Sequence, residues 1–208
     1  MLEQAVFAIT DPERIRQIID RYPWATMITH TAERGLVVSH LPVLSEEATS
    51  DVPISLLGHV ARTDGDTHEL GSHAVVIIIE GPNGYLSPSW YDETPHVPTW
   101  DFVVVHVHGR PELISAEETY SVLAKTVDRF ESALPSPWKL TDVEGYARRI
   151  AVATTGFRLR PIRLVAKAKL SQDESVHLRE HATRGLRSGG PYRNDVLADL
   201  IQDTITDG

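Results

Sequence analysis

The stretch GPNGYLSPSWYDETPHVPTWDFVVVHVHG, residues 81–109, decides how the rest of this chain is interpreted. An apolar run over residues 74–79 leads into it, and a second apolar run over residues 102–107 ends it. The part between them carries Pro82, Pro88, Pro95 and Pro98. Because proline fixes φ and has no N–H donor, this middle part predicts irregular backbone that cannot pair inside a sheet.

The same middle part is rich in aromatic side chains, which a disordered linker would not concentrate. They are Tyr85, Trp90, Tyr91 and Trp100. A long aromatic loop tethered between two buried strands is a place where a ligand site is expected. The alternative is a loop that folds over the open end of a barrel, with aromatic side chains that pack only the loop itself.

Composition limits the classes of protein to consider. The 208 residues, 41% of them hydrophobic, are enough for one substantial core, and the lack of cysteine excludes disulfides and thiol catalysis. No stretch approaches the roughly 18 apolar residues of a membrane span. The N-terminus lacks the pattern of a signal peptide, so a cytoplasmic location is expected. The formal charge of −9 disfavours broad nucleic-acid binding, because phosphate contacts supply most of that affinity.

Apolar patterning predicts about six strands and several helices. The predicted strands cover residues 24–31, 36–40, 54–61, 74–80, 99–109 and 157–170. The predicted helices cover residues 12–22, 115–134, 142–153, 173–186 and 194–201. Strands followed by covering helices favour a mixed β/α fold, a small β-barrel with peripheral helices. We expect residues 1–170 to form the barrel domain and residues 171–208 a helical tail that packs on it.

Two groups of basic residues could bind an anion. On the last predicted strand, Arg163, Lys167 and Lys169 share one face, which suits a phosphate; the alternative is a solvated edge strand protected by lysines. His59 and Arg62, at the end of the third strand, could also donate to phosphate oxygens. The alternative there is a surface arginine beside a hydrogen-bonded histidine.

His106 and His108 lie two residues apart on a strand, so their side chains point the same way, as two metal ligands could. A third ligand would have to come from His96 or His59, and no metal-binding signature supports it. Histidines that form hydrogen bonds are the favoured interpretation, and no metal ligand is predicted.

Two segments place hydroxyl groups beside proline turns, SHLP (39–42) and SPSW (87–90). Neither lies in the glycine-flanked turn of a hydrolase nucleophile, so that class of enzyme is not predicted. The hydroxyls and nearby backbone N–H groups could instead orient a heteroaromatic ring or its phosphate. Trp90, Tyr91 and Trp100 could stack on such a ring.

Five motifs carry a family resemblance. They are SHLPVL (39–44), GHVAR (58–62), GPNGYLSPSWY (81–91), VPTWDFVVVH (97–106) and KLSQD (169–173). In this order and rough spacing the chain resembles the PaiB-type proteins, which are described as FMN-binding negative transcriptional regulators with a split-barrel fold. The resemblance covers about residues 7–173, and SPSWY followed by VPTW is its most specific part.

The resemblance implies a homodimer of split β-barrels with FMN in a cleft at the dimer interface. The strands that carry SHLP and GHVAR would hold much of the flavin, SPSWY and VPTW would flank it, and Arg62 with Lys169 would contact the phosphate. The positions marked in this way as flavin contacts are Ser39, His40, Leu41, His59, Arg62, Ser87, Ser89, Trp90, Tyr91, Thr99, Trp100, Lys169 and Gln172.

Three functions remain open at this point. The resemblance implies a regulator that acts through flavin or a related phosphorylated heteroaromatic ligand. The alternatives are a flavin-dependent oxidoreductase of small substrates, with reduced nicotinamide as donor, and a haem- or metal-binding split barrel that uses His106 and His108. No catalytic acid, base or nucleophile is recognisable, which says little about a flavoenzyme because the cofactor carries its chemistry.

The chain departs from the family pattern at two carboxylates. Asp101-Phe102 stands where the family often has Asn-Tyr, and Asp64 stands where it often has Asn after the GHVAR motif. Carboxylates beside a phosphate site would weaken anion binding unless they point away from it.

The sequence contains no helix-turn-helix, zinc finger or basic arm. Its basic tail cluster consists of Arg179, His181, Arg184, Arg187 and Arg193, among which acidic residues are interspersed. We therefore expect no tight sequence-specific binding of DNA by the isolated protein, and any regulatory effect would be indirect. The alternative role of the tail is a solvated helix that closes the barrel.

Overall fold

The computed structural model describes residues 3–46, 49 and 52–206. The chain divides into two compact units, each built from separate stretches of sequence. The larger unit comprises residues 12–79 and 106–164. The smaller unit comprises residues 1–11, 80–105 and 165–208.

Within the described part of the chain there are eight strands and six α-helices. The strands are β1 (Trp24–Thr31), β2 (Gly35–Ser45), β3 (Leu56–Ala61), β4 (Val75–Leu86), β5 (Thr99–Gly109), β6 (Glu112–Leu113), β7 (Thr154–Leu159) and β8 (Arg163–Lys169). The helices are α1 (Pro12–Arg21), α2 (Arg62–Thr67), α3 (Ala116–Glu131), α4 (Glu144–Ala151), α5 (Val176–Arg187) and α6 (Asp195–Thr206). Single 3₁₀ turns cover Ala5–Phe7, Pro88–Trp90 and Leu140–Val143.

The larger unit is built on an antiparallel hairpin of β1 and β2, whose register runs from Trp24 opposite Pro42 to Thr31 opposite Gly35. Gly35 has φ of +68°, a left-handed conformation that glycine adopts without a Cβ clash. The strand order in this unit is β6-β7-β3-β2-β1-β4. Its largest fully buried side chains are Ile19, Met27, Leu41, Leu56, Ile77, Ile79, Phe157 and Leu159.

Helix α3 covers part of this sheet, and its start is defined by a capping box. The Ser115 hydroxyl accepts a bond from the Glu118 N–H at 3.2 Å, and the Glu118 carboxylate accepts one from the Ser115 N–H at 3.1 Å. Val122, one turn further on, packs with the buried side chains of Leu44 and Leu57. The sequence signal for the helix start and its packing against β2 and β3 therefore agree.

In the smaller unit the strand order is β4-β5-β8, and the N-terminal segment joins it where the Ile9 N–H donates to the Ala166 carbonyl at 3.0 Å. The C-terminal residues form a helical pair in which α5 packs along α6. Ser175 caps α5 through Leu178, and Asn194 caps α6 with a 3.0 Å bond from the Leu197 N–H.

The strands differ from the prediction most clearly in three places. The predicted strand 157–170 is two strands, β7 and β8, separated at Pro161, which has no N–H for a ladder. Strand β2 continues through Pro42 to Ser45, beyond the predicted end at His40. Strand β4 continues to Leu86, so the prediction of irregular backbone was wrong for the first six residues of the 81–109 stretch.

Among the described residues, no helix combines the length and the hydropathy needed to cross a membrane.

Candidate functional site

In the larger unit, Ser39, His40 and Leu41 lie side by side on β2 and face different surroundings. Leu41 is only 2% exposed, so its side chain belongs to the core. His40 is exposed on the other face, stacked on Trp24 with 6.4 Å between ring centroids. The Ser39 hydroxyl lies 2.9 Å from Nε2 of His68. Of the three, His40 is the side chain best placed to meet a ligand.

His68 organises the polar interior behind Ser39. Its Nδ1 lies 2.8 Å from the Thr29 hydroxyl, and its side chain is 0% exposed. Burial lowers the pKa of His68, and the Asp64 carboxylate opposes that shift only in part. Because a hydroxyl can donate or accept, the neutral imidazole is satisfied at both nitrogens.

His59 and Arg62 lie at the end of β3 and the start of α2. Nδ1 of His59 is buried and has no hydrogen-bond partner among the described residues, and burial lowers its pKa. The Arg62 backbone N–H donates to the Ala153 carbonyl at 2.8 Å, and its guanidinium donates to the Val152 carbonyl. At the position where the sequence predicts phosphate contacts, His59 thus has one ring nitrogen without a hydrogen-bond partner in the described structure, and Arg62 has further guanidinium N–H donors.

Arg62 lines a cleft of about 300 Å³ within the larger unit. A second cation of this cleft, Arg148, is already paired with Glu117 and Glu144, each at 2.8 Å, and lies over the Tyr120 ring. In the described part of the chain Arg62 has no carboxylate partner. It is therefore the cation of this cleft that can serve an anionic ligand.

In the smaller unit, Lys169 is fully engaged. Its ammonium donates to the Thr99 hydroxyl at 2.6 Å, the Trp100 carbonyl at 3.0 Å and the Asp101 carboxylate at 2.9 Å. Asp101 is 0% exposed and also accepts a bond from the Ser171 hydroxyl at 2.7 Å. Burial raises the pKa of Asp101, and the bonds from Ser171 and Lys169 oppose that shift. An ammonium has three donors, so this arrangement leaves Lys169 none for a phosphate.

Lys167 is also directed into the protein. It is 6% exposed, donates to the Gln4 amide at 3.0 Å and lies over the rings of Phe7 and Phe102. Lys167 and Lys169 thus form neither the cationic ligand face nor the solvated edge that the sequence suggested. Lys167 instead forms cation–π contacts, and Lys169 pairs with the buried carboxylate of Asp101.

The SPSWY segment forms a compact turn. Ser87 caps the 3₁₀ turn, with its hydroxyl 3.2 Å from the Ser89 N–H and 2.7 Å from the Ser89 hydroxyl. Trp90 lies against Gly185 of α5, where a built Cβ would come within 2.2 Å of the indole. Burial, with Asp101 as the largest charge contribution, raises the pKa of Tyr91 to about 12. The two serines therefore form hydrogen bonds within the turn, and Trp90 packs against α5.

Trp100 is 53% exposed in this unit, and its indole N–H donates to the Asn83 side chain at 3.2 Å. It lines a cleft of about 280 Å³ together with Glu80, Asn83 and Phe102. Gln172 bonds to its own strand end, accepting from the Leu170 N–H and donating to the Ala168 carbonyl, both at 2.7 Å.

His106 and His108 are half-buried in the larger unit, with ring centroids 6.3 Å apart. Burial and then Arg163 lower the pKa of His108. That these two histidines form hydrogen bonds, rather than bind a metal or haem, stays a prediction.

Sequence reasoning missed two buried polar groups. His68 lies between the predicted strands 54–61 and 74–80, and its partner Thr29 is 39 residues away. The sequence marks Asp101 as a departure from the family pattern, but it does not show that the carboxylate is buried and bonded to Lys169 and Ser171. The separation in sequence hid both sets of partners.

A family described as "Putative FMN-binding domain" matches residues 1–162. The protease synthase and sporulation protein PAI 2 of Bacillus subtilis is 26% identical over 205 residues, which cover 96% of this chain and 95% of that protein. These matches confirm the resemblance to PaiB-type proteins.

Two solved structures share the fold. The FAD- and haem-binding protein of Mycobacterium smegmatis has a TM-score of 0.58 and 15% identity, and the alignment covers 88% of this chain and 80% of that one. The flavocytochrome Anf3 of Azotobacter vinelandii has a TM-score of 0.55 and 16% identity, with 93% and 75% covered. At these identities the likeness concerns the fold alone, and it confirms the split-barrel prediction.

Proposed function

The chain belongs to this family of FMN-binding domains, and from that premise we propose that it is a flavin-responsive regulator of the PaiB type. Its ligand would be FMN or a related phosphorylated heteroaromatic molecule. The observation that carries the proposal is Arg62, a cation in a cleft of the larger unit with no carboxylate partner among the described residues. When bound, FMN would supply redox chemistry, and the residues below would bind and orient it.

The residues fit the phosphate of FMN unequally. A guanidinium presents five donors, and Arg62 uses one of them on the Val152 carbonyl, so it can bind a phosphate through others. Nδ1 of His59 also has no partner in the described structure, but that atom is buried and His59 does not line the cleft of Arg62, so we do not assign it to the phosphate. Lys169 does not fit this role, because Thr99, Trp100 and Asp101 take its three donors.

Within the smaller unit, Trp100 is a candidate for contact with an aromatic ligand. Its indole is more than half exposed and lines a cleft, so one face can stack on a heteroaromatic ring. Trp90 fits less well, because Gly185 of α5 covers it. We therefore assign Arg62 of the larger unit to the phosphate and, as a separate proposal within the smaller unit, Trp100 to stacking on an aromatic ring.

We propose in addition that the protein is a homodimer. Trp24, Leu36 and Val38 lie on one face of the β1–β2 hairpin and are 65%, 71% and 53% exposed. Large apolar side chains gathered on one sheet face are typical of an interface rather than of scattered surface residues. A second copy of the chain is the partner that the family resemblance implies.

The regulatory role rests on the resemblance to PaiB-type proteins and would be indirect. In the tail, Arg187 pairs with Asp199 at 2.6 Å and Arg193 with Asp195 at 2.9 Å. Carboxylates within the tail thus neutralise cations that DNA phosphates would need. A ligand-dependent change acting on a partner is the mode of regulation that this charge distribution favours.

The test is a pair of titrations of the purified protein, one with FMN and one with riboflavin, followed by flavin fluorescence. Arg62→Ala should weaken FMN binding by about tenfold or more, since charge-assisted hydrogen bonds to phosphate contribute roughly 1.5–3 kcal/mol. Riboflavin has no phosphate, so its affinity should be the same in the wild type and in the variant. Arg34→Ala, in the β1–β2 turn, is the matched control.

Three outcomes contradict parts of this proposal. If neither FMN nor riboflavin binds to the wild-type protein, the proposed flavin function is wrong. Equal weakening of FMN and riboflavin by Arg62→Ala removes Arg62 from the phosphate. Unchanged FMN binding in Trp100→Ala removes the stacking role. Circular dichroism of each variant shows that the fold is intact before affinities are compared.

A further inference from the structure

We propose that Asp92, His177 and His181 of the smaller unit form a binding site for a divalent transition metal of the Zn²⁺ class. One ligand atom of each of these three residues, here called the Asp92 cluster, lies within 4.8 Å of the others. Two imidazoles and one carboxylate with an open fourth position are a familiar zinc ligand set. None of these three residues is among those proposed above to bind flavin.

The two histidines are aligned by helix geometry. They are four residues apart at the start of α5, and residues so spaced lie above one another on one helix face. Their ring centroids are 4.5 Å apart. The helix start is fixed by Ser175, whose hydroxyl accepts a bond from the Leu178 N–H at 3.3 Å. The two imidazoles are therefore positioned by backbone that is already in place.

His181 is prepared as a ligand by its second nitrogen. Its Nδ1 lies 2.8 Å from the Trp90 carbonyl oxygen, which can only accept, so Nδ1 must carry the proton. In the neutral ring this leaves Nε2 with a lone pair, and Nε2 is the atom that lies 3.5 Å from the Asp92 carboxylate. A backbone carbonyl that fixes the tautomer in this way is the usual outer-shell partner of a metal-bound histidine.

The spacing of the donor atoms suits one central ion. His177 Nε2 lies 2.9 Å from one Asp92 oxygen, and His181 Nε2 lies 3.5 Å from the other. With bonds of about 2.0–2.1 Å, neighbouring ligands of tetrahedral zinc are about 3.3–3.4 Å apart. Small side-chain rotations therefore convert the direct contacts into metal bonds.

The ligand set also selects the kind of metal. Imidazole nitrogens favour zinc and its neighbours, whereas magnesium and calcium favour all-oxygen sites. Asp92 and His177 are 55% and 54% exposed, so an ion can enter and a water or a small ligand can occupy the fourth position. Binding would fasten the loop after SPSWY to α5.

The test is a titration of the full-length protein with Zn²⁺ against a chromogenic chelator, with Co²⁺ as a spectroscopic probe. We expect one equivalent per chain and the visible absorption of tetrahedral Co²⁺. Loss of an outer-shell partner costs about 10- to 100-fold in affinity, so loss of a ligand should cost at least as much. His177→Gln and Asp92→Asn are the variants, because both side chains are exposed and the replacements retain hydrogen-bonding capacity.

The matched control is His73→Gln. His73 forms a comparable exposed pair with Glu69, at 2.7 Å and also four residues apart, but in the larger unit. The proposal requires affinity to fall in His177→Gln and Asp92→Asn and to remain in His73→Gln. It is overturned if one equivalent does not bind, or if the variants and the control bind alike. In that case the contacts only hold the loop on α5, and both variants would lower the melting temperature without added metal.

Discussion

At the scale of single residues, the buried carboxylate of Asp101 depends on one cation. Lys169 is 20% exposed and is the ion-pair partner of Asp101 in the described structure. Lys169→Met would leave that carboxylate buried without a counter-charge, which typically costs about 3–5 kcal/mol for a buried pair. Since Lys169 retains some solvent contact, we expect the free energy of unfolding to fall by about 2–3 kcal/mol in urea titrations.

A double variant separates the ion pair from simple loss of packing. Lys169→Met combined with Asp101→Asn should recover part of the lost stability, because no uncompensated charge is then buried. Lys125→Met, on the exposed surface of α3, is the control and should change stability little. A double variant no more stable than Lys169→Met would show that the pair is not coupled.

The buried histidine His68 makes stability depend on pH. Its pKa in the folded protein is below the ordinary value of 6.5, so at slightly acidic pH His68 is protonated more in the unfolded chain than in the folded protein. The free energy of unfolding therefore suffers no loss from His68 above about pH 6.5, and it falls as the pH decreases from that value toward the pKa of His68 in the folded protein. Urea midpoints at about pH 7.5 and about pH 5.5 should show this loss.

In His68→Gln that loss should be smaller, although not abolished, because His59 is shifted in the same direction. An identical pH dependence in His68→Gln and the wild type would contradict the assignment.

At the scale of elements, two helical glycines make opposite predictions for the same change. Alanine at Gly185 would place its Cβ 2.2 Å from the Trp90 indole, so α5 or the loop must shift. Overpacking of this kind costs about 1–3 kcal/mol, which exceeds the helix preference of about 1 kcal/mol that alanine gains. Gly185→Ala should therefore lower the melting temperature and change tryptophan fluorescence.

Gly145 of α4 is the matched control, since its built Cβ meets no atom within 4 Å. Gly145→Ala should stabilise the protein by up to about 1 kcal/mol. If both variants respond alike, contact with Trp90 does not hold α5 in place.

The elements also show what the sequence could predict. Local signals located the β1–β2 hairpin, the start of α3 at Ser115 and the two tail helices, because turn chemistry, caps and periodicity act over a few residues. The continuation of β4 through Pro82 could not be predicted this way, since pairing with a distant strand decides it. For the same reason the motifs could not predict that Lys169 pairs with Asp101 or that Trp90 lies against Gly185 of α5.

At the scale of the whole molecule, the apolar face of the β1–β2 hairpin predicts the oligomeric state. Leu36→Asp combined with Val38→Asp would place two carboxylates in the proposed interface, where unpaired charge is costly. Light scattering should then give a dimer for the wild type and a monomer for the double variant. Ile162→Asp, which changes an isolated exposed side chain, is the control and should remain a dimer. A wild-type monomer at micromolar concentration would contradict the proposal.

The charge of the molecule leads to the last prediction, which concerns DNA. A dimer doubles the formal charge of −9 to −18, and Arg187 and Arg193 are each paired with a carboxylate of their own tail. Attraction to phosphates, the main source of affinity for DNA, is therefore weak. Gel-shift titration at about 150 mM salt should show no competitor-resistant complex in the nanomolar range. If such a complex forms and is lost in Arg184→Ala/Arg187→Ala, the tail binds DNA directly. Regulation would then need no intermediary, because α5 would itself carry the recognition surface.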